Sequence, residues 1–129
     1  RRRSWSLFGE AVESDILDIQ GGTTREGVHL GAMAGTVDVL QRCYAGLELR
    51  DGKLHLHPML PDELKQLSFA VRHRKHSLRV DLTHSALTVT SESSDVDAIT
   101  IAFDHQQIRL KPGDQVTFPL PLDQVQKAS

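Results

Sequence analysis

The sequence has little cysteine, few aromatic residues and no long apolar run. A single cysteine, Cys43, among 129 residues excludes an internal disulfide framework. There is no stretch of about 18 apolar residues and no hydrophobic signal region, which disfavours a membrane-spanning helix. The formal net charge of -2 gives no electrostatic basis for binding nucleic acid or an acidic membrane surface. Together these absences predict a cytoplasmic protein that binds neither nucleic acid nor membrane.

Two helices are predicted in the first third of the chain. Apolar residues recur at spacings of three and four from Trp5 onward, which predicts an amphipathic helix over about residues 4–17. A second helix is predicted over about residues 28–44, because residues 23–26 match a capping box and Gly46 is a natural C-terminal stop. Cys43 falls on the apolar side of this second helix, so we expect a buried small side chain rather than a nucleophile.

After Gly46 the hydrophobic period changes from about 3.6 to 2. Asp51 and Gly52 form a dipeptide typical of a tight hairpin turn, and a basic turn follows at residues 74–76. Seven or eight short strands over about 75 residues are typical of an antiparallel β-sandwich. The pattern predicts an α+β chain, with a helical hairpin over residues 1–46 and a β-sandwich over residues 47–129.

A glycine- and threonine-rich loop, GGTTREGVH from position 21, precedes the second helix. Its glycines permit close backbone approach, and the following helix start presents unpaired N–H groups and a favourable dipole. Thr23 and Thr24 add hydroxyl groups, Gly27 lies near the helix start, and His29 lies in the first turn. These features predict an anion site, although a capping or surface role for His29 and a purely structural loop remain open.

The run GGTTREGVHLGAMAGTVDVLQR resembles the signature near the end of the catalytic domain in glycoside hydrolase family 65. This family contains the maltose, trehalose and kojibiose phosphorylases and some trehalases. The next stretch, LELRDGKLHLHPMLPDELKQLSFAVRHRKHSLRVDLTHSALTV, is similar to the small C-terminal β-domain of the family. The resemblance implies that the chain is the tail of a larger enzyme, and that residues 1–46 hold the last helices of its (α/α)6 barrel.

The resemblance also implies the chemistry. Family members cleave α-glucosides with inversion: a glutamic acid protonates the leaving oxygen while phosphate, or water in the hydrolases, attacks the anomeric carbon. That acid lies upstream of the signature, so no catalytic residue is assigned here and the fragment alone is expected to be inactive. The histidine of the Glu-Gly-x-His element, His29, belongs to the phosphate-binding wall, with Thr23, Thr24 and Gly27 as further candidates.

The expected partners are an α-glucoside disaccharide, such as maltose, trehalose or kojibiose, and inorganic phosphate as co-substrate in a phosphorylase. No cofactor is expected. A homo-oligomer is a further expectation, since helices from a barrel expose apolar faces.

Two other classes of function remain open. The first is a non-catalytic β-sandwich for interaction or carbohydrate binding. Its aromatic residues, Phe69, Phe103 and Phe118, fall at alternating core positions, which disfavours a sugar platform. The second is an independent phosphate-ester binding protein, which the absence of a lysine after the loop disfavours.

Four histidines invite a metal-site interpretation. His55 and His57 lie on one face of a strand, and His73 and His76 flank a turn. No cysteine or nearby carboxylate completes a ligand set, so solvated histidines on the outer face of the sandwich are favoured. No metal is expected.

Overall fold

The computed structural model of the protein describes residues 2–16 and 30–121, which form two helices and eight strands. Helix α1 is Arg2–Ile16, and helix α2 is Leu30–Asp38, continued by wider π-helical turns over Val39–Tyr44. The strands in chain order are β1 (Glu48–Arg50), β2 (Lys53–Leu56), β3 (Gln66–His73), β4 (His76–Thr83), β5 (Ala86–Ser91), β6 (Ile99–Phe103), β7 (Gln106–Leu110) and β8 (Gln115–Pro119).

The strands form two four-stranded sheets, in the orders β1-β2-β6-β7 and β3-β4-β5-β8. Neighbouring strands run antiparallel except β2 and β6, which pair in parallel with Leu54 opposite Ile101. Because β3, β4 and β5 belong to the second sheet, the chain crosses to that sheet and back between β2 and β6. The predicted α+β class with an antiparallel β-sandwich is confirmed.

The core lies between the two sheets, where alternate residues of each strand point inward. In β4, Leu78, Val80 and Leu82 are buried while the residues between them are more exposed. Phe103 of β6 and Phe118 of β8 meet across the sandwich with ring centroids 4.8 Å apart. This contact joins the two sheets.

Two hairpin turns are built from residues with positive φ. Asp51 and Gly52 have φ of 51° and 72° and connect β1 to β2, as the sequence predicted. Arg74 and Lys75 connect β3 to β4 with φ of 48° and 66°, although neither is glycine. The second turn therefore carries the steric cost of two left-handed residues with a Cβ atom.

The helices agree with the predicted spans, with one change in geometry. α1 extends to Ile16, close to the predicted end, and the second helix ends at Tyr44. Its last six residues form π-helical turns, in which Ala45 N donates to Leu40 O five residues back. The predicted capping box at residues 23–26 lies outside the described residues, and the domain boundary at Gly46 stays a prediction.

Cys43 is exposed, so the prediction that it is buried was wrong. The periodicity argument placed it on the apolar side by assuming 3.6 residues per turn throughout. The π-helical turns over Val39–Tyr44 change the angle between successive side chains, so that the assumption fails in this segment. Tyr44, the next residue, takes the buried position and is only 5% exposed.

Candidate functional site

The predicted phosphate-binding residues lie outside the described residues. They are Thr23, Thr24, Gly27 and His29. The description resumes at Leu30, the first residue of α2, directly after His29. The first residue of α2 is therefore the point at which the predicted loop joins the described structure.

The far end of the second helix is fixed to the sandwich by a segment that we call the joint, consisting of residues 44–46 and 57–59. Met59 N donates a hydrogen bond to Tyr44 O at 2.7 Å, and His57 N donates one to Gly46 O at 3.2 Å. Strand β1 begins at Glu48, only two residues after Gly46. The joint consequently leaves no flexible linker between the helix and the first strand.

Gly46 is required in the joint for two separate reasons. Its φ is +61°, a left-handed conformation that glycine adopts without steric cost. A Cβ atom at this position would lie 2.2 Å from the carbonyl oxygen of His57 and 2.5 Å from its carbonyl carbon. These are backbone atoms in contact with the helix end, so rotation of a side chain cannot relieve the overlap. The predicted role of Gly46 as a helix stop is thus combined with a close backbone contact.

Three aromatic rings hold α1 against the joint. Trp5 and Phe8, one turn apart on α1, stack with centroids 5.4 Å apart. The ring of Tyr44 lies 6.2 Å from Trp5 and 6.0 Å from Phe8, the latter in an edge-to-face arrangement. Trp5 also packs against the sandwich core. Both helices are therefore attached to the same end of the sandwich.

A cleft of about 600 Å³, the junction cleft, opens beside the joint. Its apolar lining includes Phe103 and Met59, the latter 46% exposed. Two charged groups on its rim are already paired: Arg42 with Asp38 at 2.6 Å, and Glu48 with Arg50. The full lining is Arg42, Cys43, Gly46, Leu47, Glu48, His57, Pro58, Met59, Phe103, Asp104, Leu120 and Pro121. The cleft has an apolar floor and a rim of mixed charge, which fits packing better than acid–base chemistry.

The two histidine pairs differ in their environments. His55 and His57 stack at 6.4 Å, half-buried and exposed respectively. His76 is completely buried: its Nδ1 lies 2.7 Å from Ser91 Oγ, and its Nε2 lies 2.7 Å from the carbonyl oxygen of Asp97. The expectation of a solvated His76 was wrong, because the alternation that buries Leu78 also turns His76 inward. That alternation was the available sequence signal.

Within residues 2–16 and 30–121, no three His, Cys, Asp or Glu side chains are grouped as a metal ion would need. In the same part of the chain, no helix is long and apolar enough to cross a membrane.

Two ionisable groups have shifted pKa values. Burial, together with the positive charge of Arg74, lowers the pKa of His73, and a backbone hydrogen bond with Gly52 partly opposes this shift. The pKa of Asp81 is lowered chiefly by Ser68, whose hydroxyl donates to its carboxylate at 2.6 Å, and further by Arg79. Ser68 faces Asp81 across the β3–β4 pair. Both shifts arise from local structure in the sandwich.

The fold and the joint define an α+β segment in which a helical hairpin is fixed to a β-sandwich. The model of the C-terminal domain of glycosyl hydrolase family 65 matches residues 47–118. The chain belongs to this family. The family prediction made from the sequence is thereby confirmed.

Similar proteins support the assignment. An uncharacterized glycosyl hydrolase of Mycobacterium tuberculosis is 43% identical over 116 residues, covering 90% of this chain and 9% of that protein. A trehalose 6-phosphate phosphorylase of Lactococcus lactis is 38% identical over 110 residues, covering 85% of this chain and 14% of that protein. The chain thus spans about a tenth of the length of these relatives.

A solved structure, that of a candidate kojibiose phosphorylase from the human microbiome, has the same fold. It superposes with a TM-score of 0.75 at 19% identity, over 88% of this chain and 15% of that one. At this identity the likeness concerns the fold. The comparisons therefore place the chain in glycosyl hydrolase family 65, and the relatives that it resembles include a protein named as a phosphorylase.

Proposed function

We propose that the chain is the C-terminal part of an inverting phosphorylase that transfers glucose from an α-glucoside disaccharide to inorganic phosphate. The observation that carries the proposal is the 38% identity to a trehalose 6-phosphate phosphorylase, which extends over 85% of this chain. In the complete enzyme, an upstream glutamic acid protonates the leaving oxygen and phosphate attacks from the opposite face. The fragment supplies no catalytic acid.

Within this proposal, residues 1–46 contribute the last helices of an (α/α)6 barrel and part of the phosphate-binding wall. His29 donates to phosphate, and Thr23, Thr24 and Gly27 line the same wall. Backbone N–H groups at the start of a helix, together with its dipole, stabilise an anion by about 0.3–2 kcal/mol. The enzyme requires no cofactor beyond the phosphate co-substrate and acts in the cytoplasm.

The sandwich has a structural role in this proposal. Phe103 and Phe118 pack against each other in the core, so neither ring is presented as a flat platform for a sugar. The joint, by contrast, attaches both helices to the sandwich through backbone hydrogen bonds and three aromatic rings. The β-domain therefore supports the helical part.

The test is an assay of the full-length protein with maltose, trehalose, kojibiose and trehalose 6-phosphate, each with and without phosphate. We expect cleavage of one of them that depends on phosphate and releases β-glucose 1-phosphate, detected by proton NMR of the anomeric centre. Cleavage at equal rates without phosphate makes the enzyme a hydrolase and refutes the proposal.

The assignment of His29 is tested with the variant His29→Ala. Loss of a donor to phosphate should raise KM for phosphate by at least about tenfold, since a hydrogen bond to a charged group contributes about 1.5–3 kcal/mol. The matched control is His105→Ala, an exposed turn residue of the sandwich, which should leave KM unchanged. An unchanged KM for phosphate in His29→Ala removes His29 from the phosphate site.

A further inference from the structure

We propose that Gly46 is a positioning residue, which sets the angle at which the second helix leaves the sandwich and thereby the location of the first turn of α2. The consequence for phosphate binding rests on the proposed function. The geometric part rests on the joint alone and is tested separately.

The joint allows a single arrangement of helix and sandwich. Two hydrogen bonds connect residues 44–46 to residues 57–59. A separate bond runs from Leu47 N, three residues after the helix end, back to Gln41 O in the helix at 2.9 Å. Tyr44 is held from the other side by Trp5 and Phe8. Since backbone and side-chain contacts converge on three consecutive residues, the helix end has no freedom to pivot while Gly46 stays in contact with His57.

A Cβ atom at position 46 forces a change of angle. It would lie 2.2 Å from the carbonyl oxygen of His57, while real contacts of this kind are rarely shorter than 3.0 Å. The two segments must therefore separate by about 1 Å. We take the hydrogen bond between Tyr44 and Met59 as the pivot, from which Gly46 lies at most about 7 Å away along the chain. A movement of Gly46 by about 1 Å away from His57 then tilts the helix by about 8°.

The length of the helix amplifies this tilt. Leu30 lies 16 positions before Gly46, which corresponds to a distance of roughly 22 Å along a helix. A tilt of about 8° at the joint displaces the start of α2 by about 3 Å. A distant change that misplaces a substrate-binding group by about 1 Å is enough to lower kcat/KM for that substrate by about 100-fold. The joint therefore acts on the phosphate side of the proposed active site from the opposite end of the helix.

The geometric test compares crystal structures of the full-length protein as wild type, Gly46→Ala and Gly113→Ala. Gly113 is the matched control, because its φ is also positive, at +86°, while the nearest atom to an added Cβ, Ser93 Oγ, is 4.0 Å away. After superposition on the eight strands, we expect the Cα atom of Leu30 to move by about 3 Å in Gly46→Ala and by less than about 1 Å in Gly113→Ala. A folded Gly46→Ala protein in which Leu30 stays in place overturns the proposal.

A second variant covers the case in which Gly46→Ala does not fold. Tyr44→Leu keeps an apolar side chain in the buried position but removes the ring that contacts Trp5 and Phe8. We expect faster amide hydrogen exchange in residues 39–46 in this variant than in Gly113→Ala. Equal exchange in the two variants shows that the ring contacts do not hold the helix end, and so contradicts the joint as described.

The kinetic test separates positioning from a loss of folded enzyme. A smaller folded fraction lowers the maximal rate and leaves KM unchanged, whereas a displaced helix raises KM for phosphate more than KM for the disaccharide. We expect kcat/KM for phosphate to fall by about 100-fold in Gly46→Ala relative to Gly113→Ala. A fall in kcat alone contradicts the positioning role. Absence of phosphate-dependent cleavage in the wild type refutes the proposed function, while the structural comparison still decides the geometry.

Discussion

Lys75 adopts a backbone conformation that residues with a Cβ atom rarely occupy. It is the second residue of the two-residue turn between β3 and β4, with φ of 66°. Its neighbour Arg74 has φ of 48° and reaches over the first hairpin turn, where its guanidinium lies 2.5 Å from the position of a Cβ on Gly52. Lys75 is exposed, so Lys75→Gly changes the turn with little effect on packing.

Two opposing free-energy terms decide the outcome. A left-handed residue with a Cβ costs about 1–2 kcal/mol, which glycine removes. Glycine also gains conformational freedom in the unfolded chain, which lowers stability by about 0.5–1 kcal/mol. The first term is larger, so we expect Lys75→Gly to raise the free energy of unfolding by about 0.5–1 kcal/mol.

The assay is urea unfolding of the 129-residue chain followed by far-ultraviolet circular dichroism. The matched control is Lys75→Ala, which removes the amine but keeps the Cβ and therefore the left-handed cost. We expect this control to stay within about 0.5 kcal/mol of the wild type. If Lys75→Gly is no more stable than Lys75→Ala, the positive φ carries no cost in this turn and the reasoning is refuted.

Three further predictions concern the sandwich. Because the pKa of His73 is lowered from 6.5, the unfolded chain binds more protons near that pH, so stability should fall as pH drops from about 7.5 to 5.5. His73→Gln should flatten this slope in urea unfolding, while His105→Gln should not. Ser68→Ala should raise the pKa of Asp81 towards its ordinary value, measured by carboxyl NMR; an unchanged pKa contradicts the role given to the Ser68 hydroxyl. Leu56→Ala should cost about 2–5 kcal/mol in unfolding free energy and Leu56→Met less than about 1.5, since Leu56 is completely buried; equal losses contradict a cavity effect.

The sequence predicted the features that depend on local residue patterns. Alternation in β4 and β5 was sufficient to predict the strands, and the Asp51–Gly52 dipeptide predicted a turn that the φ values of both residues confirm. Gly46 was recognised as a helix stop. Its contact with His57 was not predictable, because the two residues are brought together by the return of the chain after the first hairpin.

The features that escaped prediction depend on distant pairings or on unusual helical geometry. β2 pairs in parallel with β6, although β3, β4 and β5 lie between them in the chain and belong to the other sheet. No local residue pattern predicts such a pairing. His76 was expected on the outer face of the sandwich, and although the alternation in β4 indicated its inward direction, its hydrogen-bond partners, Ser91 and the carbonyl of Asp97, are distant in sequence and were not predictable. The phosphate-site residues Thr23, Thr24, Gly27 and His29 stay predictions.

The parallel pairing of β2 with β6 also has a consequence for synthesis of the chain. Leu54 pairs with Ile101, which follows it by 47 residues. At about 5–20 residues per second, the ribosome needs roughly 2–9 seconds to add that partner, and during this interval the first hairpin has an unpaired edge. Completion of the first sheet therefore waits for most of the second to be translated. We expect the domain to fold late and slowly, as non-local strand pairing requires.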